Sequence, residues 1–314
     1  MKINVDWTAF VLTAACCQAS DVQRKTKLGT LRRNRRKVLD TAIEEYVGIP
    51  YAEPPTGYLW FKETVPRSPW KGTYDGTTGG SVCPQNRDLK KPLTHTEDFL
   101  HLNVWMPKSA QKSPVLVWIH GAGFSFGSGS DKNSIGSVLA AKTGFVVLSM
   151  NYRLGMLGFL NANSPDAPGN QGLLDQNLAV KWVRDNIEAF GGDPSVVTIF
   201  GESAGGVSFH SHISSPMSQG LLKRAVMMSG NMYTIEFLDS THESIIKGNK
   251  VAQLVGCAEP ARDLVSHPEQ VLQCLRSKRW TNWSWHQPNS QSQRYSASFL
   301  RTTTTLFQKS QGLP

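Results

Sequence analysis

The sequence predicts an α/β fold with a mostly parallel central sheet covered by helices. Three observations predict it: short apolar, β-branched runs, an amphipathic helix between two of them, and a serine bracketed by glycines where a run meets a helical pattern. In 314 residues with 39% hydrophobic and 18% charged content, the chain can bury a sizeable core. Val115-Leu-Val-Trp-Ile119 is apolar throughout, as a strand covered on both faces requires. Phe145-Val-Val-Leu148 and Val196-Val-Thr-Ile-Phe200 repeat the pattern, and Ala225-Val-Met-Met228 is a weaker fourth run. Leu174, Leu178, Trp182 and Val183, with Ile187 a turn further on, share one helical face. Gly191 and Gly192 stop that helix, and Asp193-Pro194 leads into the next strand.

The first residues resemble a secretory leader. Lys2 is followed by an apolar stretch from Trp7 to Cys17 and small residues around a cut after Ala19, so residues 1–19 are expected to be a signal peptide and the product to be secreted. That stretch is too short for a transmembrane span, and no later span is expected. Cleavage would leave Cys83, Cys257 and Cys274, an odd number in an oxidising compartment. The net charge of +9 is concentrated in Arg24, Lys25, Lys27, Arg32, Arg33, Arg35, Arg36 and Lys37, read as a solvated hairpin. No aromatic residue interleaves it, so nucleic acid is not an expected partner. After Glu269 the chain has no further Asp or Glu, and Ser, Thr and Gln accumulate, with Trp280, Trp283 and Trp285 close together. Residues 277–314 are therefore read as a separate tail, expected to be disordered.

Gly201-Glu-Ser-Ala-Gly205 fits a nucleophile elbow. A strand reversing into a helix holds Ser203 in a strained conformation with its hydroxyl exposed, and glycines on either side remove Cβ atoms that would collide. The nucleophile needs donors for the oxyanion formed on attack at an ester carbonyl. Ala204, opening the helix, offers one N–H. The turn His120-Gly-Ala-Gly-Phe124 after Val115–Ile119 offers those of Ala122 and Gly123.

With these motifs in place, the chain resembles the type-B carboxylesterase family, which contains cholinesterases and non-catalytic adhesion proteins. The matching stretches are Gly48-Ile-Pro-Tyr-Ala-Glu-Pro-Pro55, Ser81-Val-Cys-Pro-Gln85, Glu97-Asp98, Leu102-Asn-Val-Trp105 and the His120 turn. They continue through Asn151-Tyr-Arg-Leu-Gly155, Gly169-Asn-Gln-Gly172, Phe190-Gly-Gly-Asp-Pro194, the elbow and Ser229-Gly230. The resemblance implies an α/β-hydrolase fold over residues 20–276, truncated on its C-terminal side. It also implies hydrolysis of a small-molecule ester through an acyl-enzyme, without metal or cofactor. It pairs Cys257 with Cys274 in a disulfide; two unrelated buried thiols are the alternative.

Departures from the family are equally specific. Phe99 stands where the family has the cysteine that would partner Cys83, and Trp60 replaces an arginine that would pair with Glu97. The loop from Cys83 to Phe99 is short and holds no Trp, which disfavours a choline ester. The family's acid and histidine segments lie beyond the stretch that resembles it. His210 and His212 are seven and nine positions past Ser203 on one helix, on the order of 10 Å or more from its hydroxyl, too far to serve as its base. Little turnover is expected of this chain alone, and a non-catalytic binding protein of the same fold is the second reading.

Overall fold

The computed structural model describes residues 23–85, 94–231, 233 and 239–278. The expected leader over residues 1–19 and the tail beyond Lys278 lie outside the described residues. Twelve strands are present among those described: β1 Gln23–Lys25, β2 Thr30–Arg32, β3 Asn34–Val38, β4 Thr41–Pro50, β5 Thr73–Asp75, β6 His101–Pro107, β7 Ser113–Ile119, β8 Val146–Met150, β9 Asn161–Ser164, β10 Ala167–Pro168, β11 Gly192–Glu202 and β12 Arg224–Met228. The helices are α1 Ser137–Thr143, α2 Gly155–Phe159, α3 Gln171–Asn186, α4 Ala204–Ser214, α5 Thr241–Leu254 and α6 Pro268–Ser277.

Seven strands form the main sheet in the order β12-β11-β7-β8-β6-β4-β3. It is parallel from β12 to β8 and antiparallel from β8 to β3, an α/β sheet of mixed direction whose parallel half holds β12, β11, β7 and β8. The parallel half carries the four runs read from the sequence. Side chains alternate between faces along a strand. Val115, Val117, Ile119, Val146, Leu148 and Met150 join the larger core on one face, with residues of α3 and α4. Leu116, Val147, Trp105 and Ile43 pack with Ala140 of α1 in a smaller cluster. Among the described residues β12 is an outer strand, and Val226, Met227 and Met228 on it are exposed.

The helix read from Leu174 to Val183 is α3, and it is buried on more than one face. Asp175, Gln176 and Asn177 are buried along with Leu173, Ala179 and Val183. A 3-10 turn, Ile187–Phe190, follows, and Gly191 ends it at φ 72°. The polar side chains are compatible with burial because each has partners. Asp175 meets Arg153 through main-chain N–H (2.9 Å), Nε (2.8 Å) and a terminal nitrogen (2.7 Å), both side chains being almost wholly buried. Arg153 also donates to the carbonyl of Lys62 and to Thr64 Oγ1, and Thr64 in turn donates to Asp175. The charge pair is thereby fully hydrogen-bonded, the condition under which a buried ion pair is tolerated.

The basic run is mostly exposed, as expected of a solvated hairpin, with Lys25, Lys27, Arg32, Arg35, Arg36 and Lys37 open to solvent. It spans β1, β2 and β3, and three of its arginines converge on one buried carboxylate. Arg24, Arg33 and Arg35 each place a guanidinium nitrogen 3.0–3.1 Å from the carboxylate of Glu44, which is 3% exposed. Arg24 also donates to Tyr46 Oη at 2.6 Å and to the carbonyl of Ala189. Arg36 pairs with Glu45, and Lys37 with Asp40. A carboxylate on β4 gathers the arginines because β3 and β4 pair with Arg35 opposite Glu44.

Cys257 and Cys274 form a disulfide between the end of α5 and α6. Cys83 is a buried free thiol, and burial pushes its pKa up. No described helix is long and apolar enough to cross a membrane.

Candidate active site

Ser203 sits between the last residue of β11 and the first of α4, with φ 56° and ψ −118°, a conformation that costs free energy for any residue with a Cβ. Its amide donates to the carbonyl of Met228 (2.8 Å), and its own carbonyl accepts from Val207 (3.0 Å). The reversal is possible because surrounding backbones touch. A Cβ on Gly201 or on Gly205 would collide with the same atom, the carbonyl oxygen of Ile119 at the end of β7. A Cβ on Gly230 would strike the carbonyl of Ser203, and one on Gly206 the carbonyl of Gly230. Ser203 itself is neither buried nor fully exposed.

The loop after β7 lies directly against this turn. Gly121 packs so closely on Glu202 that a Cβ would strike its carbonyl, which sets Ala122 beside the residue preceding Ser203. Ala122, Gly123 and Phe124 follow one another with φ 71°, 60° and 56°. Successive backbone N–H groups in a tight turn can form a concavity that takes up negative charge. A methyl group at such a φ costs Ala122 about 1 kcal/mol relative to glycine. Ala204 opens α4, where N–H groups have no partner within the helix and the helix dipole favours an anion. The four positions singled out in the sequence, Ser203, Ala122, Gly123 and Ala204, thus come from adjoining elements.

The histidines on α4 are accounted for otherwise. His212 is buried, with Nε2 3.0 Å from Gln176 Oε1 and Nδ1 3.2 Å from Ser218 Oγ. His210 meets the ring of Tyr233 edge-on. Among the described residues no histidine is hydrogen-bonded to Ser203. Burial pushes the pKa of His212 from 6.5 down to about 4. Between these values the unfolded chain binds a proton that the folded chain refuses, so stability falls as the pH drops through this window. The loss should approach about 3 kcal/mol by pH 4. Urea unfolding of the wild type and of His212→Gln from pH 7.5 to 4.5 checks this. The wild type should lose more stability than the variant as the pH falls, and parallel curves would contradict it.

Two residues that sequence reasoning did not single out brace the same loop. Tyr152 Oη donates to the carbonyl of His120 (2.8 Å), and its ring stacks on the imidazole of His120. The amide of Gln85 bonds both backbone groups of Gly127. Glu97, deprived of an arginine at Trp60, has no ion pair among the described residues. It lines a small cavity with Trp60, Phe99 and Arg153.

Comparison with known proteins identifies the family to which the sequence is similar. Residues 20–305 match the carboxylesterase family. The chain is 42% identical over 271 residues to pyrethroid hydrolase Ces2e of Rattus norvegicus, covering 81% of this chain and 46% of that protein. It is 38% identical to acetylcholinesterase 4 of Caenorhabditis briggsae, over 80% of this chain and 42% of that one. With acetylcholinesterase-1 of Trittame loki it shares 41% identity, over 76% of this chain and 44% of the other. The chain spans somewhat under half the length of these relatives. A match over most of its residues, on a sheet and elbow arranged as described, makes the chain a member of the carboxylesterase family.

Proposed function

We propose that this chain carries the nucleophile and the oxyanion donors of a carboxylic-ester hydrolase. Ser203 Oγ attacks the carbonyl carbon of a small ester and loses its proton to a base. The carbonyl oxygen becomes an oxyanion held by the N–H groups of Ala122, Gly123 and Ala204. Collapse expels the alcohol and leaves an acyl-serine for water to cleave. The observation that carries this reading is the strained φ/ψ of Ser203 at a strand-to-helix reversal, with Gly121 seated on Glu202 beside it. A residue is held in such a conformation only where the surrounding structure enforces it, and exposure of a hydroxyl is the use for which this turn is known.

His212 is not that base, because both its ring nitrogens already have partners, and His210 lies about two turns along α4 from Ser203. Without a base, acceleration rests on the amides and on binding, far below that of a complete triad. A fluorophosphonate needs no acid for its fluoride, and imidazole added to the buffer can take up the serine proton in place of a base on the chain. The test is therefore reaction of the chain with a fluorophosphonate, in which the serine oxygen displaces fluoride and the phosphoryl oxygen occupies the anion site. We expect modification at Ser203, located by peptide mass spectrometry, and none in Ser203→Ala. No modification of the wild type, or equal modification of the variant, would remove the basis for the proposal. The proposed secretion rests on the leader-like residues 1–19.

A further inference from the structure

The loop that offers Ala122 and Gly123 holds three left-handed residues in succession, two of them with side chains. Such a loop relaxes unless both its ends are fixed. At its start, Tyr152 Oη holds the carbonyl of His120, and Gly121 is wedged against Glu202. At its far end, the side chain of Gln85 acts as a two-sided bracket. Its Oε1 accepts from Gly127 N–H at 2.7 Å, and its Nε2 donates to Gly127 C=O and to Cys83 C=O, each at 3.0 Å. All these bonds are buried. The two ends also touch. Gly127 has φ 107°, and a Cβ there would lie 2.6 Å from Nδ1 of the His120 ring, which is stacked on Tyr152.

We infer that Gln85 is a positioning residue of the oxyanion loop, its amide closing the loop by pinning Gly127 against His120. The inference rests on the proposed role of Ser203 and deepens it. A carboxamide fits where other side chains do not. A main-chain N–H and C=O from one residue need an acceptor and a donor side by side, which a primary amide supplies and a carboxylate or an aliphatic chain does not. Without the bracket, buried Gly127 groups lose their partners and the loop can exchange left-handed φ values for ordinary ones, turning its amides off the site.

Fluorophosphonate modification of the chain tests this, because the reagent's phosphoryl oxygen needs the same amides. Second-order rate constants are compared for the wild type, Gln85→Ala, Gln85→Glu and a remote control, Cys257→Ala/Cys274→Ala, whose disulfide loss lowers stability away from the loop. Each is measured well below its own melting temperature. Both Gln85 variants should react at least about tenfold more slowly than the wild type. The control should keep the wild-type rate despite its lower melting temperature. Wild-type reactivity in Gln85→Ala, or an equal slowing of the control, would overturn the inference while leaving the role of Ser203 intact. A wild type that does not react would overturn both.

Discussion

Asp175→Asn should lower the unfolding free energy by about 3–5 kcal/mol, the usual consequence of leaving one member of a buried pair without its counter-charge. The size follows from what Arg153 is asked to do. Its side chain is 2% exposed, and Asp175, fully buried, is the acidic partner in its ion pair. Asparagine keeps the volume of aspartate, so packing is not the variable. It turns one acceptor oxygen into a donor facing the Arg153 side chain and removes the negative charge. Two carbonyl groups and Thr64 remain around the guanidinium, which satisfy N–H groups without neutralising it. The midpoint of urea unfolding measures the effect. The double substitution Arg153→Met with Asp175→Leu should recover part of the loss, because it removes both charges together. A single variant within about 1 kcal/mol of the wild type would show that water reaches the pair.

Gly205→Ala should slow modification of Ser203 by about two orders of magnitude, as misplacement of a reacting group by about 1 Å can do. The added Cβ, fixed rigidly to the α4 backbone, would collide with the Ile119 carbonyl oxygen and lie 3.3 Å from its carbon, both backbone atoms. Neither can rotate away. Helix α4 must shift relative to β7, and that shift separates the start of α4 from the loop following Ile119. Stability should fall by about 1–3 kcal/mol, the range for overpacking, with the fold retained. The labelling rate, read beside a melting curve, separates the two effects. Unchanged labelling with an intact fold would mean that the elbow tolerates displacement and does not control the reaction.

Legibility in the sequence followed how local the determining contacts are. The runs around Val117, Leu148 and Ile199 announced themselves because strands covered on both faces carry almost nothing polar. The strand β6 did not, although every residue from His101 to Pro107 is buried. His101 and Asn103 interrupt its apolar character, and Asn103 is acceptable inside only because it bonds Gly48, Gly129 and Ser149. Those partners come from three other segments. The start of β11 was hidden for a similar reason, since Asp193, Pro194 and Ser195 read as a turn. At the site, the glycines around Ser203 were readable because a missing Cβ at fixed spacing is a local demand. Gln85 was readable only as part of a matching stretch. What it holds lies 42 positions away, as the partner of Tyr152 lies 32 away, and no pattern in one dimension encodes such a pairing.

The three guanidinium groups gathered on Glu44 make the attachment of the N-terminal ribbon lopsided. Any one arginine is a spoke, and two remain when it is lost. The carboxylate is the hub, and its loss would leave three cations crowded together with nothing between them, driving apart the strands they had joined. The three arginines thus back one another up, whereas the carboxylate they share has no substitute among them. Because that carboxylate is shielded from water, dissolved salt should loosen the assembly far less than it would an open cluster of equal charge.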